Sequence, residues 1–138
     1  MDKLNQELPL DLERRALQAC IVLGGFVPVS AGLYGALFGA ALSGDAMSAT
    51  GDSHVRYLSG LLLAIGLAFW STVPRIEHQT KRARLLTAIV VTGGLFRVAG
   101  FFSGAGPSPG MLAAGAMEVV ITPLLCLWQA RIAARAID

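Results

Sequence analysis

Four apolar runs of near-bilayer length, separated by three short polar breaks, constrain this chain more than any other feature. They cover about 16–42, 55–73, 83–102 and 111–130. Roughly 20 residues of helix rising 1.5 Å each cross the hydrocarbon core, so each run is long enough to do so. The breaks are a Gly/Ser/Asp segment at 43–53, a charged turn at 74–82 and the turn-forming SGAGPSPG at 103–110. Loops this short join antiparallel neighbours. The expected fold is therefore all-α: one integral membrane domain over 1–138, a four-helix up-down-up-down bundle.

Composition agrees. Of 138 residues 54% are hydrophobic and 14% charged, where a soluble domain carries about 25% charge. Mean hydropathy is +0.62. The net charge of +2 does not point to nucleic acid, because the basic residues are scattered over short loops without interleaved aromatics. Cys20 and Cys126 both fall in apolar runs, where a free cysteine packs as a small hydrophobe; they form neither a metal pair nor a disulfide framework. The first fifteen residues mix acids (Asp2, Glu7, Asp11, Glu13) with bases (Lys3, Arg14, Arg15), and the run after them is too long for a signal peptide. Leu4, Leu8 and Leu12 form one stripe of a short interfacial helix, started or interrupted near Pro9.

Lysine and arginine set the orientation. Three lie before the first run, four around the second break (Arg75, Lys81, Arg82, Arg84) and two in the tail (Arg131, Arg135). The first break has only Arg56 and the third has none. The positive-inside rule then places both termini and the middle loop in the cytoplasm. Trp70 and Trp128 fall near the cytoplasmic ends of their spans, as interfacial anchors do. Gly32, Gly35 and Gly39 mark one close-packing face of the first span, read either as packing inside the bundle or as a homodimer interface.

Against this background two residues stand out. Arg97 and Glu118 are ionisable groups of opposite sign inside apolar spans, where a charge is costly and marks a functional site by default. Counted from the outer ends of their spans they lie about 9 and 12 Å deep, a shared level. Gly93 and Gly94 leave room beside Arg97, Pro123 stands one turn below Glu118, and Gly115, Glu118, Thr122 and Cys126 share a helix side. Asp52, His54, Arg56 and Tyr57 open the second span on the same side of the membrane. Together these residues outline a polar pocket in the outer half of the bundle. Arg56, Tyr57, Arg97, Glu118 and Asp52 would bind a small lipophilic or anionic molecule, such as a quinone. Three readings of the Arg97–Glu118 pair stay open: a register-fixing ion pair, a ligand pocket, and a proton or ion path. His54 reads as a solvated interfacial residue or as a second proton carrier, and Asp52 or Ser53 as a cap of the second helix. Glu77 and His78 read as solvated loop residues. If the chain is a membrane isomerase, cyclase or hydrolase, Glu118 would be its acid or base with His54 beside it. A third function is that of a structural subunit in a larger membrane complex. No catalytic or metal-ligand motif is present, and the topology puts the two histidines on opposite sides, so no cofactor and no metal are expected.

The run HVRYLSGLLLAIG from His54, then Pro74-Arg-Ile-Glu, Gly93-Gly-Leu-Phe-Arg97 and Glu118 with Pro123 resembles a family of small bacterial four-helix membrane proteins of unknown function in the DoxX-like group. The resemblance implies a four-helix fold in a bacterial inner membrane and, by fold analogy, a redox- or quinone-associated accessory role.

Overall fold

The computed structural model describes residues 2–42, 48–102 and 106–136. The side chains of residues 2–9, 40 and 42 lie outside that description, and with them the Leu4 and Leu8 part of the expected stripe. Every secondary-structure element among the described residues is helical. Helix α1 runs Asp2–Phe38, with a 3-10 turn at Gly39–Leu42 after it. Helix α2 covers Ala49–Trp70, a 3-10 segment Val73–His78, and α3 Thr80–Gly100. The last span is composite: α4 over Pro109–Ala116, a π turn at Met117–Ile121 and α5 over Thr122–Arg135.

Four of these helical stretches are long and apolar enough to cross a membrane: Leu10–Phe38, Ala49–Trp70, Thr80–Gly100 and Pro109–Arg135. Large apolar side chains stand exposed on each of them, among them Leu23, Leu61, Phe96 and Leu127. In water such faces aggregate; in lipid they face their natural solvent. The chain is a multi-pass membrane protein.

Local chemistry explains the helix ends. Ser48 caps α2 by accepting from the Gly51 N–H at 3.2 Å, and Ser108 caps α4 by accepting from the Met111 N–H at 3.3 Å, with Pro109 in the first turn. The Ser48 cap starts α2 six residues earlier than the apolar pattern alone does, so Asp52 and His54 are helical, and neither Asp52 nor Ser53 is the cap. At the other end, α1 passes through Pro9 without a break, so the expected interfacial helix and the first span are one helix. A proline removes one backbone bond and strains one turn, which a helix of 37 residues carries.

The chain divides into two compact units. One comprises residues 18–74 and the other residues 1–17 with 75–138, so α1 contributes to both. In the 18–74 unit, glycines bring two helices together. A Cβ on Gly32 would stand 2.5 Å from the Leu63 backbone nitrogen and 2.8 Å from the Ser59 carbonyl oxygen, so the helices touch backbone to backbone. Gly25 makes room for Trp70, Gly35 for Ser59 and Gly66 for Val29. These contacts descend one helix as they climb the other, an antiparallel pair. They fill the Gly32/Gly35/Gly39 face with α2, which is the packing reading of that face. Trp70 adds an N–H bond to the Val22 carbonyl at 3.1 Å and an edge-on contact with Phe26.

The other unit pairs α3 with α4 and α5, also antiparallel: Gly94 meets Glu118 and Val119, while Ile76 and Thr80 meet Gln129. Its buried apolar residues gather at one end, around Leu17, Ile76, Ala83, Leu86, Ile132 and Ala133. Gln129 is buried among them; its Nε2 donates to the Ile76 carbonyl at 2.7 Å and to Thr80 Oγ1 at 3.0 Å. This amide ties the start of α3 to α5.

Candidate functional site

Arg97 sits in the last turn of α3. A cation there meets the negative end of the helix dipole, worth about 0.3–1 kcal/mol. Glu118 lies in the π turn of the last span, one residue after its start at Met117. Pro123 follows five residues on. It has no N–H, and in a regular helix its ring would press on the carbonyl of Val119. The turn before it widens, and the Thr122 N–H and Oγ1 both bond the carbonyl of Met117, the hydroxyl at 2.8 Å. Local π turns of this kind re-satisfy backbone groups that a membrane proline sets free, and they recur at functional sites.

The two charges meet. Arg97 Nε donates to Glu118 Oε2 at 2.8 Å and Nη2 donates to Oε1 at 2.9 Å, a parallel two-bond fork. Gly94, one turn before Arg97, makes this approach possible. A Cβ there would lie 2.7 Å from Glu118 Cβ and 2.8 Å from Val119 Cγ2. Gly93 faces open space and takes no part. Gly115 meets Phe101 and Val98 at ordinary contact distance on the same seam.

The fork uses two of the five guanidinium N–H groups. Three remain, two on Nη1 and one on Nη2, along the outer edge of the plane. Nη1 donates to no described residue, and the Arg97 side chain is 38% exposed against 19% for Glu118. Where such an edge lies in hydrocarbon, each unpartnered donor costs several kcal/mol, which favours an acceptor beside it.

The other candidates belong to the 18–74 unit. Arg56 Nε donates to Asp52 Oδ2 at 2.7 Å, one turn away on α2. Its Nη1 donates to the carbonyls of Ala36 and Leu37 at 3.1 and 2.7 Å. Arg56 thus closes the end of α1, where carbonyls lack helical partners. Gly39 follows with φ +58°, the left-handed conformation glycine adopts most readily, and a Cβ there would strike Asp52 and Arg56. His54 Nδ1 lies 2.9 Å from the Thr50 carbonyl of its own helix and is exposed, as is Tyr57. The structure therefore brings Arg97 to Glu118 and Arg56 to Asp52, in different units.

Glu77, expected to be solvated, is a largely covered residue facing Arg14 at 3.6 Å. Gln129 carried no motif that marks it; its only signal is an amide in the last, otherwise apolar, span. Among the described residues no group of three or more histidine, cysteine or acidic side chains could hold a metal ion.

A family model matches residues 16–129, which takes in most of each of the four spans and both members of the Arg97–Glu118 pair. The chain belongs to a family described as a domain of unknown function. That family is DUF4345. No curated protein and no solved structure matches the chain.

Proposed function

We propose that this protein is a membrane-embedded binding protein with an accessory role, and that Arg97 receives the oxygen acceptor of a small neutral amphipathic molecule. The observation that carries this reading is the half-used guanidinium. Glu118 fixes the plane of Arg97 from one side and leaves a donor edge on the other. The charge balance selects the ligand class. The Arg97–Glu118 pair is net neutral, so a carbonyl or similar oxygen adds bonds without adding charge. A free anion would leave a net negative site beside apolar side chains, at a desolvation cost. A quinone or an ester-bearing lipid fits better than a carboxylate or phosphate. The resemblance to DoxX-like proteins supports the same redox- or quinone-associated setting as an analogy of fold.

In this reading the chain is one membrane domain of four helices running up, down, up and down, with both termini in the cytoplasm of a bacterial inner membrane. The basic middle loop and tail support that orientation. Arg56, Asp52 and His54 are not part of the proposed site, because each is engaged within its own unit. An acid–base role for Glu118 is less favoured: both its oxygens already accept from Arg97.

The test is solvent extraction and mass spectrometry of the protein purified from membranes in mild detergent. Wild type should carry a stoichiometric amphipath bearing an oxygen acceptor, and Arg97→Leu/Glu118→Leu should carry none while keeping its helix content. Equal recovery from both proteins, or none from wild type, contradicts the reading.

A further inference from the structure

At the end of the Arg97 unit where α3 begins, charge is gathered and unevenly balanced. Arg135 donates to Glu13 at 3.2 Å, Arg14 faces Glu77, and Gln129 bonds Ile76 and Thr80. These contacts bring residues 11–14 of α1, residues 75–84 and the last turns of α5 to one place. The acids described there are already taken: Asp11 and Glu77 by Arg14, Glu13 by Arg135. Arg15, Arg75, Lys81, Arg82, Arg84 and Arg131 are exposed and have no acidic partner among the described residues. Helix α3 makes the imbalance sharper. Its first turn holds no acid, and Gln79 gives no side-chain cap, so Lys81 and Arg82 stand at the positive end of the dipole.

Two exposed stripes run from these cations along the spans. Lys81, Leu85 and Ile89 follow at four-residue spacing on α3, and Arg131, Leu127 and Leu124 share a face of α5. Each stripe is a cation above bare aliphatic side chains, the pattern of a phospholipid's phosphate above its acyl chain.

We propose that this end of the unit is a docking surface for anionic phospholipid headgroups, with Lys81, Arg82 and Arg84 at its centre and Arg131 beside them. Arginine holds phosphate oxygens bidentately, and basic groups at the ends of spans attract anionic lipid. The aliphatic stripes select a lipid over a soluble phosphate. The proposal is independent of the reading of Arg97.

The experiment uses the full chain in nanodiscs of phosphatidylcholine containing a minor fraction of phosphatidylglycerol. Native mass spectrometry then reads the lipid that stays bound. Wild type should retain phosphatidylglycerol above its bulk fraction. Lys81→Gln/Arg82→Gln/Arg84→Gln should lower that enrichment, by up to about five-fold per charge removed. Arg82→Lys/Arg84→Lys should keep most of it. Nanodiscs present both leaflets, so a change of orientation does not imitate the loss. If the triple variant loses helix content, Arg131→Gln carries the test with a smaller drop. Equal enrichment in wild type and the charge-free variants overturns the proposal. So does displacement of phosphatidylglycerol by millimolar inorganic phosphate, which would mark a plain anion site.

Discussion

The Arg56–Asp52 and Arg97–Glu118 pairs have nearly the same Nε–oxygen distance, 2.7 and 2.8 Å, yet they do different work. Arg56 pairs with a residue one turn away and spends Nη1 on the carbonyls that end α1. Its donors are used to finish a helix. Arg97 pairs across two helices separated by 21 positions and keeps an outer edge of donors. An arginine in an apolar stretch is thus not one kind of signal. What distinguishes the two is where the remaining N–H groups go. The same contrast holds for the glycines. In the 18–74 unit they let backbones touch, and in the other Gly94 admits a charged side chain to the helix surface.

The largest effect expected is from Glu118→Leu, which leaves Arg97 unpaired. With Arg97 38% exposed, the cost should fall below that of a fully buried pair, at up to about 3 kcal/mol for a charge left unpaired in a span, to be read from denaturation in detergent. Arg97→Leu/Glu118→Leu should recover most of that loss. A double variant as unstable as Glu118→Leu would show that packing around the pair, not charge, sets the cost. Next come the glycines. Gly94→Ala should destabilise by roughly 1–3 kcal/mol because its Cβ meets Glu118 and Val119. Gly32→Ala should cost at least as much, since the obstacle is the Leu63 backbone, which cannot rotate away. Gly93→Ala and Gly60→Ala meet nothing and should be neutral or stabilising by up to about 1 kcal/mol. If Gly94→Ala matched Gly93→Ala in denaturation, Gly94 would not shape the site.

Gln129→Leu should follow, losing about 1–3 kcal/mol as the Ile76 carbonyl and Thr80 lose their donor. Hydrogen exchange at the start of α3 should rise with it. Arg56→Gln should be the mildest, about 1–2 kcal/mol, with faster exchange confined to the end of α1 and no effect on any molecule held at Arg97. A change in that molecule's recovery would join the two pairs in function after all.

Four long apolar helices were legible because hydrophobic run length is a direct consequence of bilayer thickness, and each expected run contains most of one of them. Their ends were not, because a single serine moves a helix start: Ser48 draws α2 six residues upstream and carries Asp52 and His54 into it. Arg97 and Glu118 were legible as a pair because charge in an apolar span has few partners to choose from. The helix ends differ slightly from the ends of the apolar runs: α3 stops at Gly100, which leaves Arg97 in its last turn, and the last span starts at Pro109. Arg56 carried no mark of its role, since that role depends on the carbonyls of Ala36 and Leu37, some twenty positions away. Gln129 was silent for the same reason: an amide becomes a tie only when the chain brings a carbonyl to it.

The most direct measurement is an electron cryomicroscopy map of the protein in lipid nanodiscs, enlarged by a bound antibody fragment, at a resolution that shows side chains. The account predicts density of an elongated molecule with one polar end at hydrogen-bond distance from the Nη1 edge of Arg97, while Nε and Nη2 stay on Glu118. An Arg97 bonded to Glu118 alone, with its outer edge against ordinary acyl chains, would contradict it.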